Sequence, residues 1–316
     1  MATDAYRNDL SVKPLSQRPP VQLATQPARE PAPRPAKRNR RPHAGSIGIY
    51  VLAVIIMLWG LLPFYWMLVT AFREKDYTFS TTPWPTHLTL DNFKEALSTD
   101  FGNNFLRAIG NSLIISAVTT LIAVAVGVFA AYALSRYDFR GKYVVLGVIM
   151  GASMFPSIAL VTPLFQLFTD IGLRGSYWAL IIPNISFALP LTIFTLTSFV
   201  DELPWELEEA ARVDGCSRGK AFRTIMLPLA APAIFTTAIL AFIMAWNEFL
   251  LAQQLSTLHT EPVTVAIARF TGGNAFDYPY ATVMAAGAIV TVPLVIMVLI
   301  FQRKIIAGLT SGGVKA

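Results

Sequence analysis

Charge is what this sequence has least of. Asp, Glu, Lys and Arg make up 14% of its 316 residues, where a soluble domain carries about 25%. The deficit excludes a disordered chain, whose composition is the reverse. It also argues against a soluble two-domain enzyme of this length. The single cysteine, Cys216, excludes an intrachain disulfide and a zinc site built on cysteines. Histidine occurs three times, as His43, His87 and His259, and none lies inside an apolar run. A histidine metal cluster at membrane depth is therefore excluded too. With 54% hydrophobic residues, an integral membrane protein remains.

A helix needs about 20 apolar residues to cross the hydrocarbon core. Stretches free of Asp, Glu, Lys and Arg cover residues 47–72, 108–135, 143–169, 175–200, 224–247 and 278–302. The fifth continues past the lone Glu248 to residue 258. None alternates as a barrel strand does, so the spans are helices. Lys and Arg then set the orientation. With the N-terminus cytoplasmic, one side holds the basic tail, Arg136, Arg140, Lys142, Arg212, Arg218, Lys220, Arg223, Arg303, Lys304 and Lys315. The other holds only Arg73, Lys75, Lys94, Arg107, Arg174 and Arg269. The expectation is an all-α integral membrane protein with six transmembrane helices and both termini cytoplasmic. Residues 1–44, rich in Pro, Arg and Ala, form a disordered cytoplasmic tail, and residues 45–316 the membrane domain. The basic cluster at 37–41 would hold the tail near anionic membrane lipid. A cleaved signal peptide is not expected, because the first apolar run is about twice a signal core.

Three features of the spans bear on passage of a solute. Pro156 and Pro163 lie seven residues apart, as do Pro183 and Pro190. Seven residues is about two turns, so each pair shares a helical face. Prolines there either line a path or are tolerated in packing. Ser112, Ser116, Thr119, Thr120, Ala123, Gly127 and Ala131 form a small-residue stripe suited to close helix contact. Glu248 interrupts the fifth run alone, and an ionisable group there is a functional candidate by default. A sugar path would use carboxylate and amide groups beside aromatic faces. Trp246, Asn247, Glu248 and Gln253, with Asn184 in the fourth span, are the candidates for it. The competing reading makes Glu248 an interfacial residue hydrogen-bonded to a neighbouring helix.

The loop between the fourth and fifth spans, residues 201–229, predicts helix, turn, helix. Pro204 suits a first helical turn. Glu206, Glu208 and Glu209 sit where the helix dipole favours negative charge. Glu208 and Arg212 are an i,i+4 pair. Asp214-Gly215 stops the helix, with Gly215 able to take a left-handed cap. Ser217 can cap the second helix, and Leu227-Pro228 ends the unit. Ala210 and Ala211 leave room for another surface to approach closely.

Glu209, Ala210, Ala211, Gly215, Ile225, Leu227 and Pro228 occupy every position of a long spaced pattern. On these residues the loop resembles the EAA loop of permease subunits in ABC importers. From about Ser46 onward the chain is similar to the smaller permease subunit of maltose-type sugar importers. The run Trp246-Asn247-Glu248-Phe249 and the tail from Gly308 to Ala316 carry that further likeness. The resemblance implies that Glu208, Glu209, Ala210, Ala211, Asp214 and Gly215 belong to a coupling helix docked on an ATPase subunit. It implies that Gly312 and Gly313 reach toward the ATPase dimer, and that the loop at 256–279 protrudes outward toward a sugar-binding protein. It also implies a heterodimer with a second permease subunit, two ATPase subunits and an extracytoplasmic sugar-binding protein, all at a bacterial cell membrane. A maltose- or trehalose-like α-glucoside would be the cargo. No cofactor is expected on this chain, since ATP and Mg would bind the partner ATPase, and no nucleic acid.

Gly215-Cys-Ser-Arg-Gly219-Lys220 superficially resembles a phosphate loop. It has one residue too few between its glycines, Ala221 in place of Ser or Thr, and no strand before it. The chain is thus expected to be non-catalytic. The alternative is a secondary sugar transporter driven by an ion gradient through Glu248. Charge relays usually use more than one intramembrane acid, and only one is available. A membrane-embedded enzyme would need a cluster of His, Asp, Glu or Cys at membrane depth, which the sequence does not supply.

Overall fold

The computed structural model describes the backbone of residues 44–99, 104–270 and 278–311, and side chains from 48 to 301 within those segments. The tail, the turn at 271–274, Gly312 and Gly313 lie outside the described residues. Among the described residues every element is helical, apart from an isolated bridge between Arg73 and Leu88. The chain divides into two compact units, residues 1–57 and 58–316. In the first, the described side chains belong to α1 (Ala44–Ala71) and are exposed.

The second unit continues with α2 (Asp91–Leu97), α3 (Phe105–Arg136), α4 (Lys142–Ser153), α5 (Ser157–Asp170) and α6 (Tyr177–Glu202). Then come α7 (Glu206–Val213), α8 (Arg218–Ala221), α9 (Leu227–Trp246), α10 (Leu250–Leu255), α11 (Val263–Ala268) and α12 (Tyr280–Ser311). Among the described residues five helices are long and apolar enough to cross a membrane, and a sixth span is counted if α4 and α5 form one broken span.

That break corrects the reading of residues 143–169 as one helix. The axes of α4 and α5 meet at 88°. Pro156 stands at the N-cap of α5 and only Pro163 lies within a helix, so the two do not share a face. Proline has no N–H to give and disfavours helical backbone in the residue before it, so a kink becomes a corner. Pro183 and Pro190, by contrast, both lie within α6 and both are buried.

The centre of the second unit is α3 packed against α6 and α9. Ser112, Ser116, Thr119, Ala123, Gly127 and Ala131 are all buried on the packed face of α3. Ala123, Ala188 and Ala241 meet at one level, and Ala131, Leu196 and Ala233 at another. In a membrane the helices gain nothing by hiding apolar surface from lipid, so close van der Waals fit carries the association. Gly127 is the tightest point: a Cβ there would collide with the Thr192 methyl. Thr192 turns its hydroxyl away to the Ala188 carbonyl at 2.8 Å.

Two further expectations change. Leu227-Pro228 does not end the loop unit. The chain passes from α8 through a π-helical turn, Phe222–Met226, straight into α9. The Leu227 N–H reaches back to the Phe222 carbonyl, and Pro228 falls in the first turn of α9, where a missing N–H is tolerated. The fifth run likewise does not continue past Glu248 as one helix, because α9 stops at Trp246 and α10 starts afresh at Leu250.

At the Phe105 end of α3, residues 256–270 pack against the bundle, while residues 271–277 of the loop expected to protrude lie outside the described residues. Val263, Val265 and Ala266 are buried. The Val263 N–H donates to Ser112 Oγ at 2.8 Å. Asn111 Nδ2 donates to the carbonyls of His259 at 3.0 Å and Glu261 at 2.9 Å, while Asn111 Oδ1 accepts from Tyr177 Oη at 2.7 Å. These side chains supply partners that a non-helical segment cannot find within itself.

Candidate functional site

The Arg136 end of the bundle carries the loop built from α7 and α8. The α7 carboxylates gather in its first turn, where the unpaired N–H groups of a helix favour negative charge. Gly215 ends it in the left-handed region, at φ +86°. Its N–H donates to the Arg212 carbonyl at 3.1 Å, and the Cys216 N–H reaches the Ala211 carbonyl at 2.9 Å. This pair of bonds closes a helix whose exit residue has positive φ. Ser217 Oγ then accepts the Lys220 N–H at 3.3 Å and starts α8.

The two faces of α7 differ. Glu208 and Ala211 point into the protein and are buried. Leu207, Ala210, Val213, Asp214 and Gly215 are exposed, with Val213 at 87%. Leu207, Ala210 and Val213 follow one another at three-residue steps, so they make a short apolar stripe on the outer face. Glu209 is exposed as well, and its Oε1 accepts from Trp205 Nε1 at 2.7 Å.

Glu208 does not make the i,i+4 pair with Arg212. It turns inward, where Tyr132 Oη donates to its Oε1 at 2.7 Å and Arg136 Nε lies 3.6 Å from its Oε2. The inward position also buries its apolar stem, which an outward ion pair would leave wet. Tyr132 and Arg136 are functional candidates that the sequence reading missed. Their spacing of four at the end of a helix was visible, but nothing in the sequence marked Glu208 as their partner.

The residues grouped as a substrate path differ in burial and in their hydrogen-bond partners. Asn184 is buried and donates to the Leu180 carbonyl at 2.9 Å. Trp246 is buried, stacked on Phe242 with ring centroids 5.7 Å apart. Asn247 is exposed and donates to the Ile243 carbonyl at 2.7 Å. Glu248 is half-buried and caps α10: its two carboxylate oxygens accept the N–H groups of Leu251 at 2.8 Å and Ala252 at 2.9 Å. Gln253 is exposed.

Comparison with known proteins places this geometry among transporters. The family described as binding-protein-dependent transport system inner membrane component matches residues 123–310. The chain is 44% identical over 266 residues to the trehalose transport system permease protein SugB of Mycobacterium tuberculosis, covering 84% of this chain and 96% of that one. It is 43% identical over 271 residues to the trehalose/maltose transport system permease protein MalG of Thermococcus litoralis, covering 85% and 95%. Among solved structures it is similar to a bacterial ABC transporter involved in the import of the acidic polysaccharide alginate. There the TM-score is 0.67 at 22% identity, covering 82% of this chain and 95% of that one, a likeness of fold.

Proposed function

The chain belongs to the family of binding-protein-dependent transport system inner membrane components, and on that premise we propose that it is one permease half of an ATP-driven sugar importer. Its cargo is a di- or oligosaccharide of the trehalose or maltose type, the class named for its relatives at 44% and 43% identity. The observation that carries the reading is the outer face of α7, where Leu207, Ala210 and Val213 stand exposed beside the left-handed exit at Gly215. A short apolar stripe on an otherwise charged loop fits insertion into a cleft on a partner protein. We assign that partner as the ATPase subunit, with α7 as the docking helix and the loop on the cytoplasmic side. Both termini would share that side.

The mechanism is alternating access. ATP binding closes the ATPase pair, carries the docking helices together and turns the cavity outward. Sugar passes in from an extracytoplasmic binding protein, and hydrolysis returns the cavity to the cytoplasm. Both ATP and the loaded binding protein must favour the outward-facing state, since a ligand shifts an equilibrium only by its differential affinity. This chain does no covalent chemistry. ATP and its Mg sit on the ATPase chains, and a second permease subunit completes the pathway. The ion-driven alternative is not favoured, because both oxygens of Glu248 are already engaged by backbone N–H groups.

Affinity purification of the chain from native membranes in mild detergent, followed by mass spectrometry, tests the reading. Recovery of a second membrane-spanning permease, an ATPase and a binding protein supports it, and labelled trehalose and maltose then resolve the cargo. Recovery of this chain alone, active in proteoliposomes under an ion gradient, would overturn it.

A further inference from the structure

The loop that carries α7 joins α6 to α9, so a displacement of α7 reaches those two helices through the chain itself. It is not joined directly to α3, the helix that packs against both. We propose that Arg136, Tyr132 and Glu208 form a buried latch that fixes α7 to α3, and that this latch is what carries motion of the docking helix into the third helix of the bundle. The inference rests on the permease reading above and adds a mechanical role for residues that face away from the docking surface.

Arg136 reaches α6, α7 and the π-helical turn at this corner. As the last residue of α3, its Nη2 donates to the Leu203 carbonyl, the C-cap of α6, at 3.0 Å. The same nitrogen lies 3.8 Å from Met226 Sδ in the π-helical turn. The guanidinium sits over the Trp205 ring, 5.1 Å from its centroid, at the N-cap of α7. Its Nε faces Glu208 Oε2 at 3.6 Å, and the two side chains are only 7% and 4% exposed. At that distance the two charges attract without a hydrogen bond, so Arg136 Nε and Glu208 Oε2 each lack another partner. Tyr132 supplies the hydrogen bond instead, while its ring lies 4.7 Å from that of Phe222.

The chemistry makes the latch all-or-none. A carboxylate and a guanidinium out of water are each costly alone, so neither leaves the other behind when α7 moves. A surface ion pair at the same place would let go, because water replaces the partner. Other contacts join α3 to this corner: Ser135 Oγ donates to Asp201 Oδ1 on α6 at 2.5 Å, the Phe129 ring lies 5.6 Å from that of Phe222, and the Arg218 guanidinium lies over Tyr137. Among the described residues, the hydrogen bond and ion pair that tie α7 itself to α3 are those of the buried group.

The test uses the full complex, this chain with its co-purified partners, in proteoliposomes. Sugar moved and ATP hydrolysed are measured in the same sample. Glu208→Gln keeps an acceptor for Tyr132 and removes the charge. Tyr132→Phe keeps the ring and removes only the O–H. Both should leave the partner chains on the complex. Sugar moved per ATP should fall about tenfold in Glu208→Gln and about threefold in Tyr132→Phe. Arg136→Gln combined with Glu208→Gln should be no worse than either alone, the non-additivity of a single unit. Ratios equal to the parent in both single variants would overturn the latch and leave the permease reading standing. Loss of the complex in every variant, Tyr132→Phe included, would overturn it in favour of a purely structural role. A parent chain that brings down no ATPase would remove the permease reading and the latch together.

Discussion

At Gly215 the backbone sits at φ +86°, and a Cβ built there meets nothing within 4 Å. Any penalty for a side chain is therefore backbone strain alone, about 1–2 kcal/mol for a left-handed residue with a Cβ. Gly215→Val should lose sugar uptake while the chain still reaches the membrane, whereas Gly215→Asn, which tolerates this region, should retain most of it. Uptake of labelled sugar against chain abundance checks both. Gly127 fails for the opposite reason, because its space is already taken by the Thr192 methyl. Gly127→Ala should lower the melting temperature in detergent, by about 1–3 kcal/mol of overpacking. Adding Thr192→Ser, which drops the methyl and keeps the hydroxyl, should recover most of that loss. Both glycines were visible in the sequence, one by its Asp-Gly turn and the other by its place in a small-residue stripe. Glu208 was misread because helix-surface rules offer only neighbours on the same helix, and its partners lie on α3.

Among the elements, the segment from α10 to α11 shows how a buried charge is managed. Glu261 is buried and pairs with Arg269 at 2.9 Å, while the Arg269 side chain stays 43% exposed. Burial pushes the Glu261 carboxyl up, and the attraction of Arg269 offsets only part of that. The sign follows from linkage. A carboxyl whose folded value lies above its unfolded value favours the fold at pH below the unfolded value, and that contribution is lost as pH rises through the folded one. Glu261→Gln should therefore gain melting temperature relative to the parent as pH rises through the carboxylate range, and be neutral or stabilising at neutral pH. A gain that shrinks as pH rises would contradict this. Most helices were legible as uncharged runs, because apolarity is what a membrane span requires. The corner at Pro156 and the restart after Glu248 were not, since a count of uncharged residues measures apolarity and says nothing of straightness. The fold-back of residues 256–270 was hidden too, as it depends on Asn111 and Ser112 meeting a distant backbone.

On the scale of the whole molecule, the two ends of the bundle divide the work. One end is tied down by polar side chains of α3, and the other presents α7. Ala210→Arg should abolish recovery of an ATPase with the chain. Its own melting temperature should hardly change, because an exposed substitution of this kind shifts stability by about 0.5 kcal/mol or less. Co-purification from native membranes, beside a melt of the isolated chain, reads both. The passage from α8 through the π-helical turn into α9 bears on how far a push at this end travels. Residues Arg218–Trp246 make one run of 29 residues, a rod of about 40 Å at the usual rise of about 1.5 Å per residue. On the permease reading such a rod is a lever with the docking loop at one tip and Trp246 at the other. A rotation of about 5° about its middle carries each tip roughly 2 Å in opposite directions, so inward travel at the loop becomes outward travel at Trp246 in a single stroke.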